Sequence, residues 1–357
     1  MKRINFVLPA SRDQPIGGYK IIYQYANQLT DNGFDVSISF TYKGYPSVHN
    51  VLRQKLGLLK HRIIGGTFPK RITWFHFDSR VKLFFNVISS RDFPNADFLI
   101  ATSAPTSRIV RELPSSKGKK FYFIQNFETW WYEGDVNQLN QTFNLGLHNI
   151  VISQELRSKV VAAGAPEPFY LPNFYDHKEF NLVNSIENRK NKVALLNHVQ
   201  LTKRTSFGLD VLNRVKQDIP DLEVELFGAY KAPSNLPDYV HFTYKADVKI
   251  LREKIYGTAK VYLLPSILEG WVLTGMEAMA SGALVVSSRI GGIVDYANDK
   301  NSILVEPDNK KAFVDAVEKA LLDDNLRVGL SREALTDVNK YQISTSTRLL
   351  ENILQNA

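Results

Sequence analysis

The stretch Val261-Tyr-Leu-Leu-Pro265-Ser-Ile-Leu-Glu269-Gly-Trp-Val-Leu-Thr-Gly-Met-Glu277-Ala-Met-Ala-Ser-Gly282 decides the fold of this chain. Its first four residues are an apolar run of the kind a doubly covered strand shows, and Pro265 ends it. Two carboxylates follow with seven residues between them, and small residues of helical character come after the second. A strand, a polar loop and a helix N-terminus form an anion site in α/β proteins, because the first helix amides lack partners and the dipole favours negative charge. Eight helical steps turn a side chain by roughly 800°, about 80° off register. Glu269 and Glu277 therefore converge only if the first sits in the loop and the second on the helix. Glutamates are mostly exposed, and a solvated turn acid beside an ordinary helix residue fits the pair as well. If they do converge, the site suits a ligand with a phosphate at one end and a diol at the other, as in a nucleotide sugar.

Outward from this stretch, strand and helix patterns alternate. Strands are expected at 4–8, 35–40, 97–102, 120–125, 149–153 and 170–171, with a helix over 18–30 carrying Ile21, Ile22, Tyr25, Ala26 and Leu29 at helical spacing and stopping at Asn32-Gly33. A second series of strands is expected at 192–197, 223–227, 240–242, 261–264, 284–287 and 303–305. Alternation of this kind implies parallel sheets with crossover helices, here twice over. The polar stretch 181–191 reads as the linker, and 344–355 as a closing helix.

With 357 residues the chain is long enough for two domains, and 44% apolar content supports real cores. The absence of cysteine excludes disulfides and thiolate metal sites. Met1-Lys-Arg-Ile-Asn-Phe-Val-Leu-Pro9 begins like a signal peptide, but Pro9 and the polar Ser11-Arg-Asp-Gln14 end its apolar part early. The expectation is a cytoplasmic protein. The net charge of +8 gathers partly in 53–71, where Arg53, Lys55, Lys60, Arg62, Lys70 and Arg71 interleave with leucines and isoleucines. That pattern suits contact with the inner face of an anionic membrane, and equally a solvated helix face. No zinc-finger, RNP or helix-turn-helix signature accompanies the charge, so nucleic acid is not an expected partner.

Glu269-Gly-Trp-Val-Leu-Thr-Gly-Met-Glu277-Ala-Met-Ala-Ser-Gly282-Ala-Leu-Val-Val resembles the donor-binding signature of retaining glycosyltransferases of family 4, roughly E-G-F-G-L-x-x-x-E-A-M-A-x-G-x-P-V-V. Val272 stands where the family has Gly, and Leu284 where it has Pro. Gly291-Gly292-Ile-Val-Asp295 is similar to the family's G-G-x-x-E. The resemblance implies a GT-B fold: two Rossmann-like domains facing across a cleft, at 1–180 and 181–343, with 344–357 crossing back onto the first. It also implies a metal-independent enzyme without a cofactor, using a nucleotide-diphosphate sugar as co-substrate, and the chain has no Asp-x-Asp pair.

The resemblance extends to single residues. Lys203 matches the lysine that meets the diphosphate; His198 falls where the family has Arg, and Arg204 is a candidate to replace that arginine. Glu277 is expected at the ribose hydroxyls and Glu269 at the donor sugar, with Gly270, Trp271, Val272, Leu273 and Thr274 lining the donor. Gly17-Gly18 permit close backbone approach to a ligand at the start of the first helix, and the resemblance implies that they bind the donor, facing its phosphates and the acceptor. In Phe121-Tyr-Phe-Ile-Gln125-Asn126-Phe-Glu128-Thr-Trp130-Trp-Tyr132, the chain resembles the bacterial polysaccharide rhamnosyltransferase branch, with Asn126 for Asp. Gln125, Asn126, Glu128 and Trp130 are the expected acceptor contacts, the acceptor being a glycan or lipid-linked glycan. A GT-B sugar-nucleotide epimerase or phosphorylase, and a non-catalytic partner subunit, are the other classes this sequence fits.

Overall fold

The computed structural model describes residues 1–42, 56–57, 59–60 and 71–357. Most of the basic segment 53–71 lies outside the described residues. Two compact units make up the chain, Met1–Asn173 with Ile343–Ala357, and Phe174–Gln342.

The first unit is built on seven parallel strands: β1 (Arg3–Leu8), β2 (Asp35–Thr41), β3 (Lys82–Val87), β4 (Phe98–Ala101), β5 (Lys119–Ile124), β6 (His148–Val151) and β7 (Phe169–Tyr170), in the order β3-β2-β1-β4-β5-β6-β7. Ile4 sits between Val36 on one side and Phe98 on the other. Strand order reverses between β1 and β4, so the loops leaving those two strands open a crevice at their carboxyl ends. Helix α1 (Gly17–Asp31) buries Ile21, Ile22, Tyr25, Ala26 and Leu29. It ends in a Schellman turn, in which the Phe34 amide donates to the Leu29 carbonyl and Gly33, at φ 90°, to that of Thr30. Helices α2 (Ala104–Glu112), α3 (Val136–Phe143) and α4 (Gln154–Ala162) follow. The last helix of the chain, which belongs to this unit, packs on α1.

Six parallel strands form the second unit's sheet: β8 (Lys192–Leu196), β9 (Glu223–Gly228), β10 (Val240–Tyr244), β11 (Val261–Leu264), β12 (Leu284–Ser288) and β13 (Ile303–Val305), ordered β10-β9-β8-β11-β12-β13. The period of two along each strand sends Val193, Leu195, Val224, Leu226, Val261, Leu263, Leu284 and Val286 to one face. There they pack on α5 (Thr205–Asp218) and α7 (Lys310–Leu322) through Val211, Leu212, Val215, Phe313 and Val317. Truncating one of these, Leu263→Ala, would cost about 2–5 kcal/mol. The opposite face carries Tyr262 and is covered by α6 (Leu273–Ala280), with α8 (Asp324–Val338) behind it. Here the order reverses between β8 and β11.

The stretch 181–191, expected as a linker, belongs to the second unit. Buried Arg189 donates to the carbonyls of Tyr256, Ala259 and Ser281 at 3.1, 2.8 and 2.9 Å. Fully buried Arg327 donates to those of Ile186 and Glu187. Two buried guanidinium groups need these acceptors, and their need holds the stretch in place. The remaining helix, α9 (Ile343–Asn356), extends the expected 344–355 by one residue at each end. Among the described residues, no helix is long and apolar enough to cross a membrane.

Candidate functional site

The reversal between β8 and β11 brings together the loops after those strands, 197–204 and 265–272. Open α/β sheets bind ligands at such a point. The loops are tied directly, the Ile267 amide donating to the Thr202 carbonyl at 2.9 Å.

In the first loop, Thr205 closes the turn: its hydroxyl donates to the Leu196 carbonyl and accepts from the His198 amide, both at 3.0 Å. The Nδ1 of His198 accepts from the Gln200 amide at 3.0 Å. Burial, and then the charge of Lys203, push His198 below its usual pKa. It is therefore a neutral imidazole with its proton on Nε2, a hydrogen-bond donor rather than a cation. Arg204, at φ 53°, leads into α5. Its guanidinium pairs with Asp308 at 2.7 Å and lies 3.8 Å from the centre of the Phe207 ring. Lys203 points the other way, and its Nζ meets both carboxylate oxygens of Glu269 at 2.7 Å.

Glu269 belongs to the loop and Glu277 to the second turn of α6, as their spacing requires. Burial holds the phenols of Tyr262 and Tyr296 well above their usual pKa, and the charges of both glutamates add to that rise. The loop is clamped from behind by Gly291 and Gly292, since a Cβ on either would collide with the backbone oxygens of Glu269 and Gly270. Gly270 is buried in that clamp.

Val272, which stands where the family signature has Gly, has φ 69° and ψ 69° at the N-cap of α6. A β-branched residue in the left-handed region is a strained one, by about 1–3 kcal/mol. The Tyr296 hydroxyl donates to its carbonyl at 2.7 Å. No side chain caps α6, so the amides of Leu273 and Thr274 open the helix. The side chain of Trp271 does not face this site. It is buried, its Nε1 donating to the Met276 sulfur at 2.9 Å and its ring against Tyr296 and Tyr341.

The first unit gathers a second set of expected residues. Gly17 and Gly18 begin α1, and a Cβ on Gly18 would lie 3.3 Å from the Gln125 Oε1. Glu128 accepts from the Ala104 amide at 2.7 Å, at the start of α2. Burial pushes its carboxyl up to about 8, against the lowering effect of that bond. Asn126 turns its Oδ1 back on the Phe127 amide at 2.8 Å. Trp130 is 45% exposed, which leaves its ring face free to stack.

Sequence reading missed Tyr296 and Ala104. A lone tyrosine after Gly-Gly-x-x-Asp and an alanine opening a helix carry no signal of the backbone groups they serve.

Residues 176–336 match the family described as Glycosyl transferases group 1. Over 184 residues the chain is 28% identical to D-inositol 3-phosphate glycosyltransferase of Corynebacterium aurimucosum, covering 46% of this chain and 43% of that protein. It thus spans less than half the length of this curated relative. Among solved structures, sucrose-phosphate synthase of Thermosynechococcus elongatus superposes with a TM-score of 0.75 at 14% identity, over 99% of this chain and 98% of that one. HepE of Anabaena, solved with UDP, gives a TM-score of 0.76 at 16% identity over 100% of both chains. At such identities the likeness speaks for the fold alone, which is GT-B. The family match lies within the second unit, Phe174–Gln342.

Proposed function

We propose that this chain is a retaining glycosyltransferase of family 4 that moves a hexose or deoxyhexose, with rhamnose as one candidate, from a nucleotide-diphosphate sugar to a glycan or lipid-linked glycan in bacterial surface polysaccharide synthesis. One observation carries it: Lys203, Glu269, Glu277 and the open amides of α6 all stand at the β8–β11 reversal. Lys203 and the Leu273–Thr274 amides meet the diphosphate, with Arg204 joining if it leaves Asp308. Neutral His198 offers Nε2–H to a phosphate or hydroxyl oxygen. Glu277 accepts from the ribose hydroxyls and Glu269 from the donor sugar.

The first unit takes the acceptor, through Gln125, Asn126, Glu128, Trp130 and the Gly17-Gly18 helix start. An acceptor hydroxyl attacks the anomeric carbon on the face the phosphate leaves. The new carbon–oxygen bond forms as the carbon–phosphate-oxygen bond breaks, and the hydroxyl proton passes to the departing phosphate. Protein cations and amides stabilise the charge that develops there, so no metal is called for.

A thermal-shift screen against UDP, GDP and dTDP tests the assignment, since a bound ligand raises apparent stability by mass action. One of the three should raise the melting temperature. If none does, alone or as its sugar conjugate, the nucleotide assignment is wrong. Transfer of labelled sugar to a lipid-linked glycan extract then separates a transferase from an epimerase, a phosphorylase and an inactive partner subunit.

A further inference from the structure

We propose that Glu269 makes the site select the intact donor over the free nucleoside diphosphate, by occupying Lys203 whenever no sugar is present. This rests on the nucleotide-sugar assignment of the second unit and adds a rejection step to it.

The ammonium of Lys203 sits 2.7 Å from both oxygens of Glu269. The two side chains are only 22% and 8% exposed, so water screens the pair poorly. The backbone of Glu269 is held by Gly291, which stands too close to its carbonyl oxygen to carry a Cβ. The Glu269 side chain is only 8% exposed, so the carboxylate has little room to turn toward solvent when its partner leaves. Separating a buried pair is strongly unfavourable when one charge is left without a replacement.

An arriving ligand must supply two things together, an anion for Lys203 and hydrogen-bond donors for Glu269. A nucleotide sugar brings both, a diphosphate and a set of sugar hydroxyls. A nucleoside diphosphate brings the first only. Its binding strands a carboxylate that is 8% exposed, and sites reject ligands that leave their buried polar groups unpaired. After transfer the sugar has gone to the acceptor, so Glu269 reclaims Lys203 and displaces the by-product. Glu269 is thus a specificity residue as well as a sugar contact.

The test is titration calorimetry of UDP, GDP and dTDP, and of their glucose conjugates, on wild type, Glu269→Gln and Glu269→Asp. The glutamine is isosteric and uncharged, so it releases Lys203 and is less costly to strand. It should bind the free diphosphate roughly tenfold more tightly, about 1.4 kcal/mol, while the conjugate gains nothing. The aspartate, one methylene shorter, should give a smaller gain and serves if the glutamine variant folds poorly. In a Lys203→Gln background the gain from Glu269→Gln should vanish, because no ammonium remains to be released. If wild type binds a diphosphate and neither variant binds it more tightly, the selection role is overturned while the nucleotide assignment stands. If neither wild type nor variants bind any diphosphate, alone or as its sugar conjugate, both fall together.

Discussion

The hydroxyl of Tyr296 lies between two parts of the α6 start: it donates to the Val272 carbonyl at 2.7 Å and fills the space a Cβ on Gly275 would need. A strained, left-handed valine is held by a phenol from the turn after β12, and a glycine one turn into the helix makes room for that phenol. Tyr296→Phe should leave the Val272 carbonyl with the Gly275 amide as its remaining donor and destabilise the second unit by about 0.5–1.5 kcal/mol. Urea denaturation measures it. A midpoint equal to wild type would mean that the bond contributes nothing.

Gly292 gives a purely steric test, because its φ is not in the left-handed region. Gly292→Ala drives a methyl into the Gly270 backbone oxygen and should cost about 1–3 kcal/mol and weaken nucleotide binding. Gly329→Ala, inside α8 with open space around it, should stabilise by about 0.5–1 kcal/mol. Equal effects from the two alanines, read from melting curves, would contradict the clamp.

Glu128 should give the first unit a pH-dependent stability. Its carboxyl titrates near 8 when folded, against 4.5 when free. Between those values the folded state keeps a proton the unfolded state has lost, so stability is full below 4.5, falls as pH rises through the window and levels off above 8. Glu128→Gln, which can still accept from the Ala104 amide, should flatten that slope. Denaturation midpoints across the window that decline equally in both proteins would place the titrating group elsewhere.

The two acids of the α6 stretch should separate in kinetics. Glu277→Gln is expected to weaken donor binding by roughly tenfold, and Glu269→Ala to lower turnover chiefly. Initial rates with saturating and limiting donor resolve the two effects. Rates equal to wild type in both variants would remove these residues from the site.

Chelation is the complementary check. If Lys203 and the α6 amides carry the leaving charge, EDTA should leave transfer intact. Activity lost on chelation and restored by Mn²⁺ or Mg²⁺ would reject that account of the leaving group.

All six strands of the second unit were legible: β8, β11 and β12, covered on both faces, read as apolar runs, and β9 alternates apolar and charged residues. β3 was not: Lys82-Leu-Phe-Phe-Asn-Val is a half-buried edge strand with Asn86 at φ 58°, and neither alternation nor a closed apolar run marks it. The loop-and-helix placement of Glu269 and Glu277 followed from helical arithmetic together with the family likeness. What spacing does not carry is direction. Lys203 and Arg204 are neighbours in sequence, yet one turns to Glu269 and the other to Asp308, because the left-handed residue between loop and helix reverses the chain there. Trp271 read as a donor contact, but an indole so close to Met276, Tyr296 and Tyr341 gains more from burial than from facing a polar crevice.

The seat of α9 has a consequence for the order in which the protein is made. The first unit needs residues 343–357, where buried Leu350, Ile353 and Leu354 belong to the helix that packs on α1 and Asn32 bonds Glu351 at 2.6 Å. On the ribosome, residues 174–342 must be translated before that helix exists, roughly 10–30 s at ordinary elongation rates. Part of α1 therefore stays uncovered while residues 174–342 are being made.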